Sequence, residues 1–305
     1  MKKILCFRNS KLGDFLISFP ALKLIKKKFP NCLIYYLTEK NINCPYLPKK
    51  FENVSIVDEF IYYEYNLKGI LSLILKLRKL KFDYVYCFQE SRNYFISIRN
   101  FIFFLLCNIN KKIGFFYKNK DYSKFNEAIQ LVHRIDKNMD LQNIFKLKKF
   151  HNFNENPIIK GNYITISHGG ISSPKLWALS NWSALIELIL KKYNYKIIIL
   201  GSPKEKKSGN KLLKKKQNQI LSMCGKSNIK DLFNLIKFSK LHLTNDNGTM
   251  HVASLYDKKT ICLFNNHDPI GKWFPLNKNA HIFRPNEGVE KILPRKVFKK
   301  IIKLI

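Results

Sequence analysis

The sequence predicts an α/β protein built from two doubly wound parallel sheets. Short runs of β-branched and aromatic residues alternate with segments of helical periodicity along most of the 305 residues. This alternation is typical of parallel strands connected by helices. An Asn-rich stretch, 151–161, contains Pro157 and separates two such sets of elements. A polar stretch of this kind is typical of a linker, so we expect two domains.

The first set predicts an N-terminal domain over residues 1–155. Its strands are predicted where β-branched, aromatic and other apolar residues cluster, and its helices where apolar residues recur with a period near 3.6. The predicted strands are Lys2–Arg8, Leu33–Thr38, Ser55–Asp58, Phe82–Phe88 and Lys112–Phe116. The predicted helices are Asp14–Phe29, Lys68–Leu80 and Arg92–Cys107.

The longest apolar stretch of the chain, Tyr94–Ile109, falls within the third predicted helix. It contains Arg99 and Asn100 and is shorter than the roughly 20 residues that a bilayer span needs. We therefore expect a buried helix there, with a helix at a membrane interface as the alternative.

The second set predicts a C-terminal domain over residues 156–288, followed by a helix over 289–305. The same two patterns assign its elements. The predicted strands are Tyr163–Ser167, Lys196–Gly201, Leu241–Asn245 and Thr260–Phe264. The predicted helices are Ser180–Tyr193, Pro203–Lys216, Asn228–Ser239, Gly248–Tyr256 and finally Val289–Ile305.

Composition limits the class of protein and its partners. A hydrophobic content of 46% is enough for one large or two medium cores. The formal net charge is +34, but only seven of the 55 basic residues are arginine, the residue that base and phosphate recognition favours. The charge indicates either a genome-wide drift toward lysine or attraction to anionic lipid or substrate. The seven cysteines form no Cys-x-x-Cys pair and no export signal is evident, which favours a reducing cytoplasm.

Polar loops follow the predicted strands at the edge where a doubly wound sheet binds its ligands. If the two sheets face each other across a cleft, these loops line it. The loops are 9–14, 168–175, 201–205, 246–251 and 265–269.

The junction after the strand Leu241–Asn245 predicts a phosphate site. There the chain turns through Gly248 into an apolar helix, so that backbone N–H groups and the positive end of the helix dipole point at one spot. The residues that frame this spot are Asp246, Asn247, Gly248, Thr249 and His251. Ordinary capping and turn chemistry is the alternative explanation.

Several motifs, in this order along the chain, resemble those of the ADP-heptose:lipopolysaccharide heptosyltransferases, inverting glycosyltransferases with the two-domain GT-B fold. The resemblance extends from the first strand to about Pro285. The motifs are Leu12-Gly13-Asp14 with Pro20-Ala21-Leu22, Lys112-Ile113-Gly114-Phe115, Lys175-Leu176-Trp177 with Trp182, Gly201-Ser202-Pro203 with Glu205, Cys224-Gly225-Lys226-Ser227 with Asp231-Leu232, and Asp246–His251. In this chain Gly169, Gly170 and Ile171 stand where the family usually carries Thr or Ser.

The resemblance implies a role for each matched polar residue. Asp14 would take the proton of the acceptor hydroxyl, unless it only caps the helix that begins there. Lys175 and the helix N-terminus at 248–251 would neutralise the diphosphate leaving group, and Glu205 would accept hydrogen bonds from a ribose, unless it only starts its helix. His251 would contact the diphosphate or simply pack. Trp177 and Trp182 are expected in the core.

The chain contains no Asp-x-Asp pair, so we expect neither a metal held by that motif nor a separate cofactor. The donor substrate is expected to be a nucleotide-diphosphate sugar, most simply ADP-linked. Candidate contacts to an anionic glycolipid acceptor are Arg8, Lys11 and Arg92.

The function that these expectations imply is inverting transfer of a sugar, with heptose as the sugar that the resemblance suggests, to a lipopolysaccharide-like acceptor. The enzyme would be cytoplasmic and peripheral to the inner membrane. The alternatives are an inactive homologue that binds nucleotide-sugar or glycolipid, and a basic nucleic-acid-binding protein. The absence of Arg clusters and of any RNA or DNA motif argues against the last of these.

Overall fold

The computed structural model describes residues 1–40, 56–90, 93–148, 156–170, 176–213 and 218–305. The chain divides into two compact units, Met1–Asn152 and Phe153–Ile305. Each unit contains one parallel sheet wrapped by helices, so the predicted fold class is confirmed. The predicted residues Arg92 and Lys175 lie outside the described residues, as do the predicted ends at Ser55, Lys216 and residue 155.

The N-terminal unit contains a five-stranded sheet in the order β3-β2-β1-β4-β5. Strands β2 and β3 are added on one side of β1, and β4 and β5 on the other, so the strand order reverses between β1 and β4 although all strands are parallel. Such a reversal opens a crevice at the carboxyl ends of the two strands concerned. The strands are β1 Lys3–Phe7, β2 Leu33–Glu39, β3 Glu59–Tyr63, β4 Tyr84–Cys87 and β5 Lys111–Ile113; the helices are α1 Leu12–Lys28, α2 Leu67–Leu80, α3 Tyr94–Leu106, α4 Glu127–His133 and α5 Leu141–Leu147.

The strand predicted at Ser55–Asp58 is wrong in position, because β3 begins at Glu59. The Asp58 carboxylate accepts a hydrogen bond from the backbone N–H of Ile34 and pairs with Lys26. Asp58 therefore stabilises the start of β2 and is not part of β3. In β3 itself only Ile61 is fully buried, as expected for an edge strand that shows a weak apolar pattern.

The prediction of a buried helix over the apolar stretch 94–109 is wrong for one whole face of α3. Only Ser97, Asn100 and Phe104 are buried within α3. Phe95 is 77% exposed and Ile102 48% exposed. The sheet has room to cover one face of this helix, and the apolar residues on its other face meet solvent.

The C-terminal unit contains a six-stranded sheet in the order β11-β10-β9-β6-β7-β8. Here the strand order reverses between the parallel neighbours β6 and β9. The strands are β6 Tyr163–Ser167, β7 Lys196–Leu200, β8 Ile220–Ser222, β9 Leu241–Asn245, β10 Thr260–Leu263 and β11 Ala280–Phe283; the helices are α6 Leu179–Lys192, α7 Lys206–Lys211, α8 Ile229–Phe238, α9 Gly248–Leu255 and α10 Pro294–Leu304.

The C-terminal helix is shorter than predicted. A single 3₁₀ turn, Val289–Lys291, comes first, and α10 begins at Pro294, which suits a first helical position because it lacks an N–H group. Val297 and Ile301 of α10 join the same core as Trp177 and Trp182. Both tryptophans are buried with their rings edge to face at 4.9 Å, which confirms their predicted place in the core.

Candidate active site

The first group of site residues lies at the reversal between β1 and β4 of the N-terminal unit. Arg8 follows β1 directly and is buried. Its guanidinium donates to the Phe88 carbonyl after β4 at 3.1 Å, and it pairs with Asp14 and with Glu127, both at 3.3 Å. A buried arginine thus ties the end of β4 to the starts of α1 and α4.

Asp14 lies in the first turn of α1 with 31% of its side chain exposed. One carboxylate oxygen accepts the backbone N–H of Lys11 at 3.2 Å, and the other faces Arg8. Capping of α1 by Asp14 is therefore confirmed. Because the carboxylate is also partly open to solvent, its capping leaves it able to accept a proton from a bound hydroxyl.

Glu127 balances the charge of this group. It is 1% exposed, and one of its oxygens lies 3.3 Å from Arg8 and 3.9 Å from Arg134. Tyr122 donates to its other oxygen. Burial lowers the pKa of Arg8, whereas the negative charges of Glu127 and Asp14 raise it. The raising effects together are larger, so the pKa lies above its usual value. Arg8 therefore remains charged, and the formal charges of the two guanidiniums and the two carboxylates grouped here sum to zero. We call Arg8, Asp14, Glu127 and Arg134 the buried charge network.

Arg134 explains one motif residue of the N-terminal unit. Its guanidinium donates to the backbone carbonyls of Cys87 and Gln89 at the end of β4. Gly114 passes directly beside it with a φ of +84°. A Cβ atom at Gly114 would lie 2.8 Å from the Cys87 carbonyl oxygen. The glycine is therefore required both for its backbone conformation and for space.

The loop between β1 and α1 is held in place from both sides. The Ser10 backbone N–H donates to Thr38 at 3.0 Å, and the Ser10 hydroxyl lies 2.7 Å from that of Tyr36. The Asn9 backbone N–H donates to the side chain of Gln89. Lys11 is exposed in this loop, whereas Arg8 is not. Of the predicted acceptor contacts, the structure places Lys11 at the surface and places Arg8 with the chain's own carboxylates.

The second group lies at the reversal between β6 and β9 of the C-terminal unit. Two buried or half-buried amides join the loops that follow these strands. The Asn245 side chain donates to the His168 carbonyl at 2.6 Å, and that of Asn247 donates to the Gly169 carbonyl at 2.8 Å. The Asn247 side-chain oxygen in turn accepts from the backbone and hydroxyl of Thr249. Asn247 is thus the cap of α9 and sets the direction of that helix.

A buried histidine of β9 contacts the first turn of α9. His242 in β9 lies 2.9 Å from the Thr249 hydroxyl and 3.0 Å from that of Thr165 in β6. Burial, together with the charge of Lys258, lowers the pKa of His242 to about 3. The ring is therefore neutral, and each nitrogen has a hydroxyl partner. Of the other predicted residues, Asp246 and Gly248 are partly exposed at the helix start, while His251 is buried one turn later.

The loop after β7 carries Glu205, which lies beside the loop after β6. Its carboxylate accepts the backbone N–H of Ser202, which confirms that it caps its own helical turn. The same carboxylate lies against Gly169: a Cβ atom there would be 1.5 Å from the Glu205 Oε1 atom. Glycine at position 169 is therefore what makes room for Glu205.

His168 is a site residue that the sequence did not single out. It is 4% exposed, its Nε2 atom lies 2.8 Å from the Ser208 hydroxyl, and that hydroxyl donates to the Glu205 carbonyl. Burial lowers the pKa of His168, against the opposing effect of the Glu205 carboxylate. His168 therefore holds the Glu205 turn against the end of β6. Its position directly after a buried strand was the available indication.

A pocket at the carboxyl ends of β9 and β10 adjoins this place. Arg284 donates to the carbonyls of Asn266 and Asp268 and so holds the loop after β10. The lining residues are Asp246, Phe264, Asn265, Asp268, Pro269, Trp273, Phe274 and Arg284. Within the part of the chain that the structure describes, no three His, Cys, Asp or Glu side chains are grouped so that they could hold a metal ion.

Comparison with known proteins adds the family and the fold. Residues 125–301 match the family model described as glycosyltransferase family 9 (heptosyltransferase). The chain is 29% identical over 263 residues to lipooligosaccharide heptosyltransferase 2 of Campylobacter jejuni subsp. jejuni serotype O:6, covering 83% of this chain and 78% of the relative. The relative from serotype O:2 matches at the same identity, covering 77% of its length.

Solved structures with the same fold include two from E. coli. ADP-heptose lps heptosyltransferase II superposes with a TM-score of 0.72 at 19% identity and covers 98% of that chain and 100% of this one. Heptosyltransferase WaaC with ADP has a TM-score of 0.72 at 16% identity and covers 100% of that chain and 99% of this one. These likenesses confirm the fold over the whole chain.

Proposed function

This chain belongs to glycosyltransferase family 9, the heptosyltransferases, and we propose that it transfers heptose from ADP-heptose to the inner core of a lipopolysaccharide or lipooligosaccharide. The observation that carries the proposal is the convergence of three loops at the reversal of the C-terminal sheet. The groups that these loops carry are the α9 N-terminus, the Glu205 carboxylate and the Gly169 backbone. These are the groups that a diphosphate and a ribose diol require.

The donor side of the reaction uses the C-terminal unit. The α9 N-terminus offers its dipole and N–H groups to the diphosphate, with Asp246, Asn247, Gly248, Thr249 and His251 shaping that end of the helix. Glu205 accepts hydrogen bonds from the ribose. Lys175 supplies the remaining positive charge to the leaving group. Support for ADP as the nucleotide comes from the relatives, since E. coli WaaC was solved with ADP.

The acceptor side uses the N-terminal unit. Asp14 takes the proton of the acceptor hydroxyl as the hydroxyl oxygen bonds to the anomeric carbon. The bond between that carbon and the diphosphate oxygen breaks in the same displacement, so ADP leaves with the electron pair and the anomeric centre is inverted. Arg8 positions Asp14, and Lys11 and Arg92 contact anionic groups of the acceptor.

The positive charge for the leaving group comes from protein groups, so we propose that the reaction needs neither a metal ion nor a cofactor. Lys175 and the dipole of α9 act where a metal would otherwise stabilise the diphosphate. Full activity in the presence of a chelator is the corresponding expectation.

We place the enzyme at the cytoplasmic surface of the inner membrane, where a glycolipid acceptor would be accessible to it. None of the described helices is both long and apolar enough to cross a bilayer. The net charge of +34 favours attraction to anionic lipid headgroups.

The test begins with ligand-induced thermal stabilisation. A ligand that binds only the folded state raises the Tm by mass action, so ADP, UDP, GDP and CDP are compared with and without EDTA. We expect a chelator-insensitive shift for ADP that is lost in Lys175→Ala. No shift with any nucleotide would contradict the donor site.

The second step of the test separates an enzyme from an inactive binding homologue. Asp14→Asn should keep the ADP shift but lower turnover of ADP-heptose with a lipopolysaccharide inner-core acceptor by about 10²–10⁴-fold, the usual contribution of a general base. Unchanged turnover in Asp14→Asn would remove Asp14 from its role. ADP binding without turnover in the unaltered protein would favour the inactive homologue.

A further inference from the structure

Two neighbouring helices of the N-terminal unit present apolar side chains to solvent. On α2, Leu67, Leu71 and Leu75 recur every fourth residue and therefore lie in one row along the helix. They are 76%, 54% and 67% exposed. Their counterparts in the same helix, Leu73 and Leu77, are buried against the sheet.

A second exposed row runs along α3. Phe95, Ile102 and Leu106 are spaced by seven and four residues and so share one side of the helix. They are 77%, 48% and 50% exposed. The apolar content of α3 is thus greater than its contact with the core requires.

The two rows lie on helices that hydrogen bonds join. Arg78 follows Leu75 in the α2 row, and its Nε donates to the Leu106 carbonyl at the end of α3, at 2.7 Å. Arg99 lies within the α3 row and donates to the Tyr65 hydroxyl just before α2, at 2.8 Å. These two hydrogen bonds join α2 and the segment just before it to α3, so the exposed rows belong to neighbouring helices. We call the two rows together the α2–α3 face.

The charged residues within the two helices of the α2–α3 face have one sign. Neither helix sequence contains an acidic residue. Lys68, Lys76 and Lys79 each follow a member of the α2 row and form the next row around that helix, all exposed. An apolar surface with a lysine border and exposed aromatic rings is the pattern of a helix surface that lies in the interface of an anionic bilayer.

We propose that the α2–α3 face docks onto the surface of an anionic lipid bilayer. The leucine and phenylalanine side chains enter the headgroup region, and the lysines pair with lipid phosphates. A second copy of the chain is disfavoured as the occupant, because a twofold contact would set one lysine border against another. The inference deepens the proposed function and rests on it, since a glycolipid acceptor requires an enzyme at the membrane.

The experiment measures binding of the full chain to vesicles by co-sedimentation. Vesicles of phosphatidylglycerol and phosphatidylethanolamine are compared with vesicles of phosphatidylcholine alone. The variant Leu71→Ser/Leu75→Ser/Phe95→Ser should bind the anionic vesicles at least about tenfold more weakly than the unaltered chain. The control Leu141→Ser/Ile158→Ser/Leu221→Ser removes three exposed apolar side chains elsewhere and should bind as before.

A second variant tests the charge border without altering any apolar residue. Lys68→Gln/Lys76→Gln/Lys79→Gln should lose binding to anionic vesicles by on the order of fivefold per lysine. Its Tm and that of the serine variant are measured to show that both are folded. Vesicle binding by the face variants that equals that of the unaltered chain would overturn the proposal.

Two further outcomes separate this inference from the proposed function. Vesicle binding that depends on the α2–α3 face, together with no ADP-heptose turnover, supports docking and contradicts only the transferase. Self-association of the unaltered chain without lipid, abolished by the serine variant, would make the face a contact between copies and overturn the docking proposal.

Discussion

At the scale of single residues, Glu127 is the member of the buried charge network whose loss should be felt most. It is 1% exposed and contacts both Arg8 and Arg134. Removing its charge leaves Arg8 paired with Asp14 and takes away the ion pair that Arg134 makes with Glu127. A buried charge without compensation is among the costliest single changes in a protein.

We expect Glu127→Gln to lower the free energy of unfolding by about 3–5 kcal/mol, measured by urea denaturation. Tyr122→Phe is the control, because it removes only one hydrogen bond to the same carboxylate and should cost about 1 kcal/mol. Equal effects of the two changes would show that the charge of Glu127 is unimportant.

Gly169 and Glu205 should act as a pair. A methyl group at position 169 would displace the Glu205 carboxylate from its place at the end of β6. We expect Gly169→Ala to weaken ADP binding by about tenfold, the effect of losing roughly one good hydrogen bond, measured by calorimetric titration. In a Glu205→Ala background the same change should have little further effect; full additivity would show that the two residues act independently.

His242 predicts a pH dependence of stability. Its pKa is about 3 in the folded protein, against an unfolded value near 6.5, so the unfolded state binds more protons below neutrality. The contribution of His242 is complete above about pH 6.5 and falls by about 1.4 kcal/mol per pH unit as the pH drops toward 3. Urea denaturation at pH 7.5 and 5.5 should show a smaller acid loss in His242→Asn than in the unaltered chain. An identical loss in both would exclude His242 as its source.

At the scale of whole elements, α10, the last helix that the structure describes, is part of the C-terminal core. Ile301 is fully buried beside the tryptophan pair, while its neighbour Ile302 is 39% exposed. We expect Ile301→Ala to cost about 2–5 kcal/mol in unfolding free energy and Ile302→Ala to change it by less than about 0.5 kcal/mol. Chemical denaturation of both variants tests this. A small effect at Ile301 would mean that α10 frays from the core.

The elements also show which local patterns are sufficient for prediction. The long helices and the central strands agree with the sequence-based bounds to within a few residues, because each has a continuous apolar pattern. The edge strands β8 and β11 and the short helices α4 and α5 were not predicted. Their patterns are only three to seven residues long, and their conformation depends on the sheet or helix beside them.

At the scale of the whole molecule, the net charge of +34 should oppose folding. Salt screens the repulsion between like charges, and at 0.1 M salt the Debye length is about 10 Å. We therefore expect the Tm to rise as NaCl is increased from about 20 to 300 mM, because screening relieves the repulsion. Sodium acetate at equal ionic strength should have the same effect. A Tm that does not depend on salt, or that rises with only one anion, would contradict repulsion as the cause.

The sequence by itself determined the fold class, the order of the main elements, and the position of the loops that carry the candidate site residues. It did so because parallel strands and their helices have local apolar patterns, and because ligand sites lie at the carboxyl ends of such strands. The motif residues around Asp14 and Asp246 therefore lie at the two sheet reversals.

Only the tertiary structure decided which side chains meet. Arg8 and Glu127 are 119 residues apart in sequence and 3.3 Å apart in the fold. The contact of Glu205 with Gly169 and the exposure of the α2–α3 face likewise depend on packing between distant segments. An arginine that looks available for ligand in the sequence can be paired internally, and an apolar helix can face solvent. Burial is a property of the assembled neighbours, which local pattern does not specify.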